Sequence, residues 1–143
     1  MKFLNDNILK YGIHDTSFNT VKIGKKGISL SFNNGIYLLD ENGKEKRLSK
    51  ECNLKIDIDH FNFKYPSEHI CISKIHRNRI REITIQKLLN YLKNDYFNVY
   101  LDFYSGFSQS MLIKGFLGKS EFEILVSEIL EMEFIFSDTK NKE

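Results

Sequence analysis

The sequence contains no alanine and no tryptophan, a single proline and only two cysteines among its 143 residues. Alanine is the residue that most favours helices, whereas the 12 phenylalanines, the 7 tyrosines and the numerous isoleucines favour strands. Two cysteines, Cys52 and Cys71, are too few for the disulfide framework of a small secreted protein, so each is expected to be a reduced apolar residue. The composition therefore predicts a mainly β protein that does not depend on disulfides.

The chain also lacks long apolar runs and a strong excess of either charge. No run approaches the ~18 apolar residues of a membrane-spanning helix, and the first 20 residues contain no apolar secretory core. We therefore expect a cytoplasmic protein without a membrane partner, folded as one domain over residues 1 to 143. The net charge of +2 does not indicate a general nucleic-acid binder.

An alternating segment from residue 121 to residue 137 is the clearest structural signal. Apolar side chains occupy seven of the eight even positions from 122 to 136, and Glu128 is the exception. Strand side chains point to opposite faces in turn, so the segment predicts one long strand with a bulge or bend at Glu128. A helical interpretation fits residues 121 to 130 and stays open there. The polar parity predicts an acidic contact face formed by Glu121, Glu123, Glu131 and Glu133.

Earlier segments predict a three-stranded meander and one main helix. Strand-like runs at residues 18 to 23, 28 to 32 and 36 to 39 are separated by a glycine-rich turn and by Asn34-Gly35, which is typical of a type I′ hairpin. The charged residues 40 to 51 predict a solvated loop or protruding hairpin. Residues 84 to 94 place apolar side chains on one helical face and predict a helix of about three turns.

Tyrosines dominate one side of a predicted strand that begins at residue 96. The even positions of this strand are Tyr96, Asn98, Tyr100, Asp102 and Tyr104. Together with Glu121 and Glu123 of the acidic face, they form the predicted partner-binding face. The odd positions, including Leu101 and Phe103, are apolar and are predicted to be core. Tyrosine combines a large contact area with a hydrogen-bonding tip, so a protein partner is the functional interpretation. The alternative is that a helix or strand covers these rings.

A basic segment contains three of the four arginines. Its candidate ligand-binding residues are Lys74, Arg77, Arg79 and Arg81, and in a strand the arginines would project to one side. Guanidinium groups grip phosphate bidentately, so a nucleic-acid-binding protein is the alternative function. The segment lacks the interleaved aromatic residues of single-strand binders, so a solvated strand or a salt-bridged edge is the preferred interpretation and nucleic acid is the less favoured partner.

Residue types with catalytic or metal-binding chemistry do not converge in the sequence. Four residues could ligate zinc but match no compact zinc spacing: Cys52, His60, His69 and Cys71. Carboxylate pairs fall on the polar parity of predicted strands. We therefore predict no metal, no cofactor and no enzymatic activity.

Two parts of the chain resemble small bacterial β-rich families. The first comprises residues 14 to 17 (His-Asp-Thr-Ser) and the strand-like residues 28 to 39 around Asn34-Gly35. The second comprises residues 102 to 106 (Asp-Phe-Tyr-Ser-Gly), residues 113 to 117 and the glutamate-rich end. Some of these families are immunity proteins of polymorphic-toxin or contact-dependent growth inhibition systems. The resemblance implies a cytoplasmic protein that neutralises a cognate toxin by binding it, without catalysis or a cofactor.

These observations predict one α+β, mainly β domain. We expect an antiparallel meander sheet of about seven or eight strands, curved into a half-barrel or sandwich, with one main α-helix near residues 84 to 94. The leading functional interpretation is a non-enzymatic protein-binding module, in its most specific form an immunity protein. Unpaired edge strands would also permit a homodimer.

Overall fold

The computed structural model describes residues 4 to 137. In chain order, its helices and strands are α1 (Asp6–Leu9), β1 (Tyr11–Gly12), β2 (Ser17–Phe18), β3 (Thr20–Ile23), β4 (Gly27–Phe32), β5 (Tyr37–Leu39), β6 (Glu45–Leu48), β7 (Cys52–Ile58), β8 (Ile70–His76), β9 (Arg79–Ile83), α2 (Ile85–Leu92), β10 (Phe97–Ser105), β11 (Ser110–Leu117), β12 (Ser120–Val126) and β13 (Ile129–Phe136). A short 3₁₀ helix at Pro66–Glu68 precedes β8.

The strands form three antiparallel sheets, which confirms the predicted α+β, mainly β class. Six strands pair in the order β2-β10-β11-β12-β8-β9, four in the order β13-β7-β4-β3, and three in the order β1-β5-β6. The strands within the described range are more numerous and shorter than the seven or eight expected. Strands β1 and β2 have two residues each, which is too short to produce an alternating pattern in the sequence.

The two larger sheets share one hydrophobic core. Leu54 and Ile56 of β7 belong to the same buried cluster as Phe122 and Ile124 of β12. Both pairs follow the period of two that directs alternate side chains of a strand to one face. The arrangement is therefore a sandwich with its core between the two sheets.

The predicted main helix is α2. The hydroxyl oxygen of Thr84 caps it by accepting a hydrogen bond of 3.2 Å from the backbone N–H of Lys87. Leu88 and Leu92, four residues apart, are both buried. The helix spans eight residues, so it has about two turns instead of three.

The alternating segment from 121 to 137 forms two strands in two sheets, so the prediction of one long strand was wrong, and the helical alternative over 121 to 130 does not form. Strand β12 ends at Val126, and Glu128 adopts a left-handed φ of 57° before β13 begins. The Glu128 carboxylate lies 3.1 Å from Nδ1 of the buried His69. The interruption that predicted a bulge or bend therefore marks the point where the chain changes sheets.

The change of sheets also changes which parity is buried. Ile129 is completely buried, whereas Leu130, which was predicted to be core, is 48% exposed. A register irregularity between Ile129 and Glu131 restores the predicted parity, so Met132 and Phe134 are buried. The predicted buried parity was therefore correct within β12 and from Met132 onward in β13, and wrong at Ile129 and Leu130, where the chain enters the second sheet.

The hairpin predicted at Asn34-Gly35 does not form, because β4 pairs with β3 and β7 while β5 pairs with β1 and β6. A type I′ turn needs positive φ at both central residues, but only Gly35 has it, at 85°. The turn instead directs the chain into the small sheet. There the charged segment forms the β5–β6 hairpin, whose Asp40 carboxylate accepts hydrogen bonds from the N–H groups of Asn42 and Lys44. The exposed β6 confirms the predicted protruding hairpin.

Candidate protein-binding surface

One face of the six-stranded sheet is turned away from the core. We call it the outer face. Met111 and Ile113 of β11 are buried against the core, so the residues that alternate with them point outward. Strand β11 pairs with β10 and with β12, and these three adjacent strands bring ten side chains together on the outer face: Asn98, Tyr100, Leu101, Phe103, Leu112, Lys114, Phe116, Glu121, Glu123 and Leu125.

A bulge in β10 decides which side chains reach this outer face. Val99 pairs with Gly115 and Leu101 pairs with Lys114, so the register shifts at Tyr100. The bulge lies beside Gly115, where a Cβ atom would collide with neighbouring backbone and ring atoms. Glycine in a strand marks such close approaches and bulges.

The bulge reverses the alternation that predicted the tyrosine face. Leu101 and Phe103 were predicted to be core but are 40% and 61% exposed. Asp102 and Tyr104 were predicted to face solvent but lie opposite the buried residues of β11, and Tyr104 packs against the core. The predicted continuous face was therefore wrong beyond Tyr100, because an unpaired residue shifts every later side chain to the other side.

Two carboxylates of β12 on the outer face are held by side chains of other strands, Glu121 from β10 across β11 and Glu123 from the adjacent β11. The Tyr100 hydroxyl donates a hydrogen bond to the carboxylate of Glu121, and its ring lies 5.2 Å from that of Phe116. The Lys114 ammonium lies 3.0 Å from the carboxylate of Glu123. The centre of the outer face is thus a polar network with defined geometry.

These contacts stabilise the protonation states that Tyr100 and Lys114 have at neutral pH. The hydrogen bond to Glu121 raises the pKa of the Tyr100 hydroxyl, because the neutral phenol is the donor. The hydrogen bond and the charge of Glu123 raise the pKa of the Lys114 ammonium. Both shifts preserve the state present at neutral pH, so these groups act as fixed donors there.

An apolar row crosses the outer face beside this network. Phe103, Leu112 and Leu125 occupy successive positions on β10, β11 and β12, and Phe103 and Leu125 are 61% and 39% exposed. Cys71 of β8 continues the row. Phe107, at the turn between β10 and β11, is fully exposed. The alternating sequence pattern did not predict this row, and Gly115 within a strand was the one signal of the bulge that exposes it.

Four of the seven predicted partner-binding residues lie together on the outer face: Asn98, Tyr100, Glu121 and Glu123. Tyr96 precedes β10 and is 38% exposed, and its carbonyl oxygen accepts a 3.3 Å hydrogen bond from the Asn98 amide. The predicted acidic face is divided, because Glu131 and Glu133 pair with Asp57 and Lys55 on the solvent-facing side of the four-stranded sheet.

Asp102 and Tyr104 line a separate cavity of about 310 Å³ with His14 and residues of α1, β1 and β6. Burial raises the pKa of the Asp102 carboxyl, while His14 and a hydrogen bond with Tyr104 act in the opposite direction. Burial also raises the pKa of the Tyr104 hydroxyl. Both side chains are half-buried and lie on the side of β10 opposite the outer face.

The basic segment forms the hairpin of β8 and β9. Arg77 occupies its turn with φ of 56°, so the three arginines do not project to one side as predicted. Arg79 and Arg81 lie on one face of β9, and Lys74 lies directly opposite Arg81. The nucleic-acid hypothesis stays a prediction.

The cysteines and histidines lie in different parts of the sandwich. Cys52 is buried in the core, where burial raises the pKa of its thiol to about 12. His69 packs beside Phe61 and Glu128, and His60 lies near Asp59. Among residues 4 to 137, no three His, Cys, Asp or Glu side chains are grouped so that they could hold a metal ion.

No protein-family model matches the chain, and comparison with curated proteins and with solved structures also yields no match. In the part of the chain that the structure describes, no helix has the length and apolar character needed to cross a membrane.

Proposed function

We propose that this protein is a binding module that engages another protein through the outer face. The observation that carries the proposal is the apolar row beside the Tyr100–Glu121 and Lys114–Glu123 pairs, in which Phe103 and Leu125 are exposed and Leu112 is half-buried. Exposed apolar side chains bordered by polar groups are characteristic of protein interfaces.

The held carboxylates support a recognition role. Glu121 and Glu123 each have a side-chain partner on another strand of the sheet, so less rotamer freedom is lost when a third group binds them. Their charge favours a partner with basic groups around an apolar contact. Because the carboxylates serve as acceptors for Tyr100 and Lys114, we propose binding and not catalysis.

We infer that the partner is a cognate toxin, as the resemblance of residues 14 to 17 and 102 to 106 to immunity families implies. Neutralisation by binding requires a stable exposed surface and no catalytic residue. The outer face fits this requirement, because its polar pairs connect the three strands β10, β11 and β12 of one sheet.

Growth on co-expression tests the proposal. The protein encoded beside this gene is expressed in a host, and we expect it to stop growth unless the present chain is co-expressed. Phe103→Ser and Leu125→Ser should reduce protection and weaken the purified complex by at least about tenfold, a typical loss for a central contact. Tyr100→Ala should weaken the complex with little change in melting temperature.

The matched control is Ile135→Ser, because Ile135 is 45% exposed but lies on the four-stranded sheet. It should leave protection unchanged. Full protection by both outer-face variants would contradict the proposed surface. If the neighbouring protein is not toxic but forms a complex that depends on Phe103, the result would support the proposed binding surface and contradict the proposal that the partner is a toxin.

A further inference from the structure

The β8–β9 hairpin extends one side of the six-stranded sheet beyond the core. Ile72 pairs with Ile83, and both are buried. Two residues closer to the turn of the hairpin, Lys74 pairs with Arg81. The next pair on the same side is His76 with Arg79. The buried side of the sheet therefore continues into four basic side chains, which we call the basic pocket.

These four side chains converge on one space. They line a pocket of about 350 Å³ to which no other residue contributes within the described part of the chain. The Lys74 ammonium also lies 5.4 Å from the centre of the Tyr91 ring on α2, which places it over an aromatic face. The pocket thus has cationic groups on both strands and no acidic group in its lining.

Within residues 4 to 137, the cationic groups of the basic pocket form no ion pair with an acidic side chain. Like charges directly opposite each other on neighbouring strands are destabilising. Keeping Lys74 opposite Arg81 therefore costs stability that an anion in the pocket would restore.

Protection of an exposed sheet edge does not explain this arrangement. Charged residues on an edge strand prevent pairing with other chains, and β9 is an edge strand. However, Lys74 and His76 belong to β8, which lies between β12 and β9. Charged residues on β9 alone would be enough to protect the edge. An acidic residue at position 81 would protect it equally well and would also neutralise Lys74.

We propose that the basic pocket binds a phosphate group of a small ligand. Arg79 and Arg81 supply planar guanidinium donors that match phosphate oxygens, and Lys74 supplies a point charge. Four converging side chains suit one phosphate or pyrophosphate and do not form an extended track for a nucleic-acid backbone. Arg77, which the nucleic-acid hypothesis included, is in the turn and does not line the pocket. This site is independent of the outer face.

Titration of the intact protein with pyrophosphate tests the site. Affinity is measured by calorimetry at fixed ionic strength, with chloride as the background anion. Arg81→Gln should weaken pyrophosphate binding by at least about tenfold, because a charged hydrogen-bonding pair is lost. Arg77→Gln removes the same charge from the same hairpin and should have little effect. Equal weakening by the two variants would overturn the proposal in favour of general electrostatic attraction.

Charge reversal separates binding from folding. Arg81→Glu places an acid opposite Lys74, so it should abolish pyrophosphate binding while the melting temperature is maintained or raised. Retained pyrophosphate binding in this variant would refute the site. A single-stranded oligonucleotide provides the other comparison. Affinity that grows with oligonucleotide length, combined with no pyrophosphate binding, would overturn the compact site and support a nucleic-acid surface.

Discussion

Asp102 shows that the position of a residue in an alternating pattern does not always predict which side of the strand its side chain occupies. It alternates with Leu101 and Phe103 in the sequence, yet the bulge turns it toward the cavity that His14 also lines. Burial disfavours the charged carboxylate and raises its pKa. An unperturbed aspartate carboxyl, as in an unfolded chain, has a pKa of about 3.9.

Asp102→Asn should therefore change how stability depends on pH. Between the unfolded pKa and the raised folded pKa, the folded state binds more protons than the unfolded state, so the wild-type protein loses stability as pH rises. At pH values below the unfolded pKa this penalty is absent. We expect the variant to gain stability relative to wild type at pH 7 and little at the acidic end, as measured by urea unfolding across this range. A gain that is independent of pH, or one matched by the surface control Asp57→Asn, would contradict this assignment.

Strand β10 depends on a glycine of its neighbour. Gly115 pairs with Val99 at the point where the register shifts, and its missing side chain leaves room for Phe97 and the Asn98 carbonyl. The same close approach places Leu101 and Phe103 on the outer face. The binding surface and the local packing of β10 and β11 therefore share one cause.

Gly115→Ala should disturb this pairing. A Cβ atom would collide with the carbonyl oxygen of Asn98 and the ring of Phe97, neither of which is the end of a flexible chain. We expect a loss of about 1 to 3 kcal/mol in the free energy of unfolding, the usual cost of overpacking. Gly24→Ala is the control, because its Cβ would lie 3.7 Å from the nearest atom and the loss should stay within about 0.5 kcal/mol. Equal losses would show that the cost is a general effect of losing glycine.

The whole molecule is held together where the two larger sheets meet. Phe18 of the short β2 is completely buried and stacks on Phe97 of the six-stranded sheet, with ring centres 4.8 Å apart. It also meets Phe32 of the four-stranded sheet edge to face at 5.6 Å. One side chain thus joins two sheets that share no ladder.

Two phenylalanine substitutions should separate core from surface. Phe18→Ala removes a buried ring and should cost about 3 to 5 kcal/mol in the free energy of unfolding. Phe103→Ala removes a ring that is 61% exposed and should cost within about 0.5 kcal/mol. Denaturant unfolding gives both values. A large loss for Phe103 would show that the outer face is structural, which would also weaken the proposed interface.

Much of the fold class was present in short sequence patterns, and much of the candidate site was not. Alternation located β10 and the extended segment that contains β12 and β13, and the apolar spacing of Leu88 and Leu92 located α2. Tyr100, Glu121 and Glu123 were predicted as contact residues and do lie on one face. Phe103 and Leu125 were missed, because their exposure depends on pairing with a neighbouring strand.

The sequence by itself determined which segments are extended and which residues alternate along each of them. That information is local, because neighbouring side chains of a strand point to opposite faces whatever the partner strand is. Only the tertiary structure decided which strands pair, where the bulge reverses β10, and that Glu128 carries the chain from one sheet to the other. These choices depend on burial and hydrogen bonds between residues far apart in the chain, such as Gly115 beside Asn98 and Glu128 beside His69.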